Sequence, residues 1–224
     1  FMYMPWSSNL TDYFHKNIAD IDSALQGNIL HDNRLIVFFS TSATQAVMYE
    51  MKYEKGRISY DTLKRFTNPA ITTAEGITSI LNDVKGFAPG ENYSMIISCH
   101  GMGWIPVSGT RAKSLSPDAQ KMHWEYGGEG VLPTRFFGGT TPNVQTNITT
   151  LAEGITNAGI RMDYILFDDC YMSSIEVAYD LKDVTDYLIA SPTEILAEGF
   201  PYKLVTRYLV GEFNLQGISE GFYN

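Results

Sequence analysis

A histidine and a cysteine each close a short apolar run, Tyr93-Ser-Met-Ile-Ile-Ser-Cys-His100-Gly101 and Tyr164-Ile-Leu-Phe-Asp168-Asp169-Cys170. In an open α/β sheet, reacting groups gather beyond the carboxyl ends of the strands. Delivered to that edge by separate strands, Cys170 and His100 read as a thiol nucleophile and its proton-transfer partner. Cys170 stands just before a predicted helix, whose amino terminus promotes thiol ionisation. Gly101 leaves room for a substrate beside the backbone, and its N–H with that of Cys170 would supply the two donors of an oxyanion hole. The competing reading is a buried apolar cysteine and a hydrogen-bonded structural histidine, the commoner fate of an arbitrary pair. Placement of both residues at strand ends favours chemistry.

The chain has 224 residues and a formal charge of −9. That length suits one globular unit with a substantial core. The charge argues against nucleic acid, which is met by a basic face, and favours cationic partners. No apolar stretch reaches the ~20 residues that span a bilayer, and no basic segment of a signal peptide opens the chain. It opens on Phe1-Met-Tyr-Met4, which reads as a strand already under way, so truncation at one or both ends is expected. Two cysteines make a poor disulfide framework. The 14 tyrosines and many Asn, Thr and Gly residues hint at an exported protein.

Short apolar runs alternate with amphipathic stretches, the order of an α/β fold. Phe1–Met4 is the first strand. Ser7 or Ser8 is positioned to cap a helix whose Leu10, Tyr13, Phe14, Ile18, Ile21 and Leu25 form one face. Leu35–Phe39 is a continuous apolar run, as a strand covered on both faces requires. Val47–Tyr53 and Gly56–Tyr60 predict a further strand or hairpin, and Thr73–Val84 a second helix. From Val107 to Asn143, glycines and three prolines, with Pro106 just before them, break any periodicity, which predicts a long surface loop of the functional or mobile kind. Helices at 146–157 and 173–181 bracket the cysteine strand at Tyr164–Phe167, and Tyr187–Ala190 adds another strand. The segment from Tyr202 holds about one helix and the start of a second.

The blocks His100-Gly-Met-Gly-Trp104, Asp168-Asp-Cys170-Tyr-Met-Ser-Ser-Ile-Glu176-Val-Ala-Tyr179 and Ala190-Ser-Pro-Thr-Glu194…Gly199-Phe-Pro-Tyr202 occur in the order found in the clostripain family of cysteine peptidases. The likeness runs from the first strand and its Asn9-Leu10 helix to Tyr202, leaving out 107–143. This resemblance implies a caspase-like α/β/α sandwich with a mostly parallel central sheet, a fold shared with gingipains and legumains. It makes Cys170 the nucleophile and His100 the general acid/base, with the Gly101 and Cys170 amides as oxyanion donors and no third residue required.

Family members cleave after arginine or lysine, which implies Asp168 at the base of the pocket for the residue before the cut. A carboxylate there would pair with a guanidinium or ammonium. The alternative for Asp168 is a cap for the 173–181 helix. Asp169 points to the opposite face of an alternating strand and reads as structural, as does Cys99. Thr193 and Glu194 resemble part of the pocket wall, with Glu194 equally suited to a surface charge. Trp104 is placed to line the cleft or to pack in the loop. Glu176 receives no catalytic role.

The resemblance also implies a zymogen that cuts itself between the histidine and the cysteine. Lys113 is the first candidate and Arg111 the second, with Lys121 and Arg135 further along. His15, His31 and His123 form no metal-ligand spacing, so no metal site is indicated, and no cofactor is required for the chemistry. Calcium is an open expectation from the family, without an EF-hand loop to hold it. Expected partners are polypeptides with basic residues, and the expected location is secreted or attached to a bacterial cell envelope. The runner-up from another class is a caspase-like binding or regulatory domain without activity; a thiol acyltransferase or amidase would use the same pair.

Overall fold

Leu35–Ser40 is buried at every position, the signature of a strand sandwiched between two helical layers. The computed structural model describes residues 1–103, 107, 137–211 and 213–223. Within them a seven-stranded sheet runs β10-β9-β5-β1-β2-β3-β4. Its strands are β1 (Met2–Met4), β2 (Leu35–Ser40), β3 (Gln45–Glu54), β4 (Arg57–Thr67), β5 (Tyr93–Ser98), β9 (Met162–Asp168) and β10 (Thr185–Ile189). The pairs from β2 through β1, β5 and β9 to β10 are parallel, whereas β2–β3 and β3–β4 are antiparallel. The predicted hairpin therefore exists, with Lys55 and Gly56 at positive φ in its turn (53° and 81°).

Alternation along the strands divides the core in two. Tyr3, Ile36, Phe38, Met95, Ile97 and Phe167 face α2 (Ala74–Phe87), α3 (Ile148–Asn157) and α4 (Ile175–Leu181). Met2, Met4, Val37, Phe39, Ile96, Tyr164 and Leu166 face α1 (Thr11–Leu25), α5 (Tyr202–Thr206) and α6 (Leu215–Tyr223). The result is the predicted α/β/α sandwich.

Several boundaries differ from expectation for local reasons. Neither Ser7 nor Ser8 caps α1: Leu10 is the N-cap without a side-chain bond, and Ser8 Oγ instead accepts the Thr140 N–H at 3.3 Å. Thr73 and Ser174, by contrast, cap α2 and α4 through the N–H groups of Gly76 and Val177. The end of the expected 107–143 loop is structured, since Phe137–Gly138 forms β7 between β6 (His100–Gly101) and β8 (Gln145–Thr146) in a small antiparallel sheet. Two-residue strands carry no periodicity to read. Beyond α5, the chain makes a π-helical turn at Arg207–Gly211 before α6. No described helix is long and apolar enough to cross a membrane.

On α4, Leu181 is fully buried and Ile175 is 79% exposed. Leu181→Ala is expected to lower stability by about 2–5 kcal/mol, while Ile175→Ala should stay within about 0.5 kcal/mol. Urea unfolding of the two variants checks the contrast, and similar losses would contradict this packing.

Candidate active site at the carboxyl edge of the sheet

β5 and β9 run side by side, with Ser98 opposite Asp168 at the last paired position. Each chain then continues past the sheet edge, one to Cys99-His100 and the other to Asp169-Cys170. His100, Cys170 and Asp168 all line one small cleft, closed by Leu10 at the N-cap of α1, by Phe14 and Asn17 within that helix, and by Ile195, Leu196, Ala197 and Gly199. The cleft thus gathers the expected nucleophile, base and acid.

Gly101 allows the two chains to meet. A Cβ there would lie 2.5 Å from Asp169 Cβ and 2.6 Å from Cys170 O, closer than atoms can approach without displacement, so any larger residue would push the cysteine loop away. Tyr171, just after Cys170, adopts φ 61°. This left-handed conformation turns the chain sharply and is costly for a residue with a bulky side chain. The turn is held by Tyr171 N–H to Thr193 O and Ser173 N–H to Ser191 O, both 3.0 Å.

The His100 ring is oriented from the segment before α1. Its Nε2 lies 2.7 Å from Asn9 Oδ1, and it hydrogen-bonds the Ser7 backbone. Burial lowers its pKa, against the smaller opposing effect of the Ser7 bond, so the imidazole is neutral at neutral pH. Cys170 Sγ accepts the Ile195 N–H at 3.3 Å and donates to Ile195 O at 3.4 Å. Burial pushes the thiol pKa up; the Ile195 bond opposes this, and the negative charges of Asp169, Glu194 and Asp168 add to it. The resting pair is therefore a thiol and a neutral imidazole, not a thiolate–imidazolium pair.

Asp168 is buried on the α1 side of β9. Its Oδ1 accepts the Phe200 N–H at 2.9 Å and its Oδ2 the Tyr202 O–H at 2.8 Å; Ser98 Oγ lies 3.2 Å from that phenol. Desolvation raises the carboxyl pKa to about 6, partly offset by the bonds from Tyr202, Phe200 and Ser98. Gly199, at φ 74°, presses against it, and a Cβ there would fall 2.6 Å from Oδ2. Asp168 does not cap α4, a role taken by Ser174.

Asp169 faces the other way and binds Cys99 through both oxygens, in keeping with its structural reading. Thr193 and Glu194 are exposed at the rim, while Ile195, Leu196 and Gly199 form the wall. Asn17, which donates to Glu198 O at 2.7 Å, ties α1 to that wall. The sequence reading gave Ser7 only a capping role and gave none to Asn9, Asn17, Ile195 or Tyr202; Asn9 and Tyr202 carried a signal, since both lie within the resembling stretch. Trp104, Arg111, Lys113, Lys121, His123 and Arg135 lie outside the described residues. Among the described residues, no group of three or more His, Cys, Asp or Glu side chains is placed to hold a metal ion.

A model of the clostripain family matches residues 137–219. The solved structure of iotapain, a secreted C11 cysteine protease from Bacteroides thetaiotaomicron, is 56% identical to this chain over its whole length, with a TM-score of 0.87. The chain belongs to the clostripain family. An inactive zymogen C11 protease from Parabacteroides distasonis shares 26% identity over 99% of the chain, with a TM-score of 0.75. A second C11 protease from Bacteroides thetaiotaomicron, solved with an irreversible peptide inhibitor, has the same fold at 23% identity over 99% of the chain, with a TM-score of 0.77. This clostripain-family chain spans 60% of the length of iotapain and 56% of each of the other two. Comparison with curated proteins gave no match.

The neutral dyad predicts how Cys170 reacts before substrate binds. Alkylation by iodoacetamide should climb with pH through an apparent pKa above that of a free thiol, and Glu194→Gln should lower this pKa by removing a negative charge. A rate already at its plateau below neutral pH would contradict the resting thiol.

Proposed function

We propose that this protein is a cysteine endopeptidase that cleaves after arginine or lysine. The observation that carries this reading is the meeting of Cys170, His100 and Asp168 in one cleft. As Sγ attacks the scissile carbonyl carbon, His100 takes the thiol proton, and the Gly101 and Cys170 amides receive the developing oxyanion. The protonated His100 then gives that proton to the departing amine as the C–N bond breaks, leaving a thioester. Water, deprotonated by His100, attacks the thioester and releases the acid and the thiol. A dyad that rests uncharged holds the thiol unreactive until a substrate carbonyl is in place.

Asp168 accepts the charge of the residue before the cut. The Phe200 N–H and the Tyr202 O–H already orient its carboxyl, and a cation entering the cleft would draw it into the ionised form, because opposite charge at close range favours carboxylate. Thr193 and Glu194 at the rim are suited to contacts with the peptide beyond that residue. Cleavage within the chain after Lys113 or Arg111 accords with a basic preference, and the zymogen state of the Parabacteroides relative supports such activation. Secretion is supported by the description of iotapain as secreted. Calcium remains a condition to vary in these assays.

Fluorogenic peptides ending in Arg, Lys, Asp or Leu test the specificity. Cys170→Ala should abolish all turnover, and Asp168→Asn should cost Arg and Lys substrates about 2–5 kcal/mol in kcat/KM while sparing Leu. For basic substrates, kcat/KM should fall as pH drops through about 6, where Asp168 protonates, and Asp168→Asn should remove that limb. Asp-selective or apolar cleavage would reject the pocket assignment while leaving the dyad standing.

Self-processing has its own readout. Purified wild-type protein should yield fragments whose new termini follow Lys113 or Arg111, and Cys170→Ala should stay intact. Wild type that remains one band after prolonged incubation would reject it.

A further inference from the structure

The residue before the nucleophile and the residue before the histidine are joined twice. Asp169 Oδ1 accepts the Cys99 backbone N–H at 2.8 Å, and Oδ2 accepts the Cys99 thiol at 3.4 Å. Both residues are buried, 1% and 4% exposed. Regular pairing of β5 with β9 ends one step earlier, at Ser98 and Asp168. Past that point the sheet ladder no longer sets the separation of the two chains, and the Asp169–Cys99 bonds take over just before Cys170 and His100. Asp169 Cβ also forms the surface against which Gly101 rests.

We propose that Asp169 is a positioning residue for the reaction, setting through Cys99 where His100 stands relative to Cys170. The two consecutive carboxyls then divide the work, Asp168 facing the substrate cleft and Asp169 bracing the dyad from the opposite face of β9. Burial raises the pKa of Asp169, and asparagine is a near isostere that keeps a carbonyl oxygen for the Cys99 N–H. This inference rests on the Cys170/His100 reading above.

Asp169→Ala, Asp169→Asn, Cys99→Ala and His100→Ala, each made in the full chain, test it. With active sites titrated, Asp169→Ala should lower kcat about 100-fold, the scale of a misplaced catalytic group, with KM within about twofold. Asp169→Asn should recover most of the loss because a carbonyl oxygen still faces the Cys99 N–H. Cys99→Ala, which keeps that N–H, should cost less than about tenfold by the same geometric argument. A wild-type kcat in Asp169→Ala, or an equal loss in the Ala and Asn variants, would overturn the proposal. If Asp169→Ala does not fold, Asp169→Asn decides: near-wild-type kcat sustains the role and a 100-fold loss ends it.

The kcat of His100→Ala and of the double variant separates this inference from the reading beneath it. Where Asp169→Ala costs little further once His100→Ala is present, Asp169 acts through His100. A wild-type kcat in His100→Ala would reject the dyad itself. A loss in His100→Ala with a wild-type kcat in Asp169→Ala would reject only the role of Asp169.

Discussion

The parallel pairing of β5 with β9 is the constraint on which the site depends. It ends both strands at one level, Ser98 beside Asp168, so residues 70 positions apart in sequence enter one cleft. Parallel neighbours need a long crossover, and this one contains α2's partner α3 and the small sheet that receives His100 and Gly101. The register matters as much as the pairing. Because successive strand residues point to opposite faces, a shift of one position would turn Asp168 away from the cleft and Asp169 into it.

Burial then sets the electrostatics. Water is largely excluded from Asp168, Asp169 and Cys99, and desolvation raises the pKa of each. An ionised carboxylate in such a place must be offset by hydrogen bonds, and Asp168 has them from Phe200 and Tyr202. The same desolvation holds Cys170 as a thiol and His100 as a neutral imidazole.

Close backbone approach is the third element. Gly101 meets the cysteine loop and Gly199 meets Asp168 at distances that no side chain could occupy. These contacts explain why glycines follow the histidine and precede Phe200-Pro201-Tyr202. Both positions were visible in the sequence blocks, but the neighbours that require them come from distant parts of the chain.

Sequence alone determined the layers, the apolar strands and the placement of His100 and Cys170 at strand ends, because each follows from local periodicity and from a general rule about where parallel sheets do chemistry. It also separated Asp168 from Asp169 by strand alternation. It did not reveal β7, whose two residues are defined only by their partners, or that Leu10 in place of a serine begins α1. The orientation of His100 by Asn9, the hold of Ile195 on Cys170 and the support of Asp168 by Tyr202 were decided by tertiary structure. The physical reason is that a hydrogen bond between residues far apart leaves no spacing to read, and the direction of a buried group's pKa depends on everything packed around it.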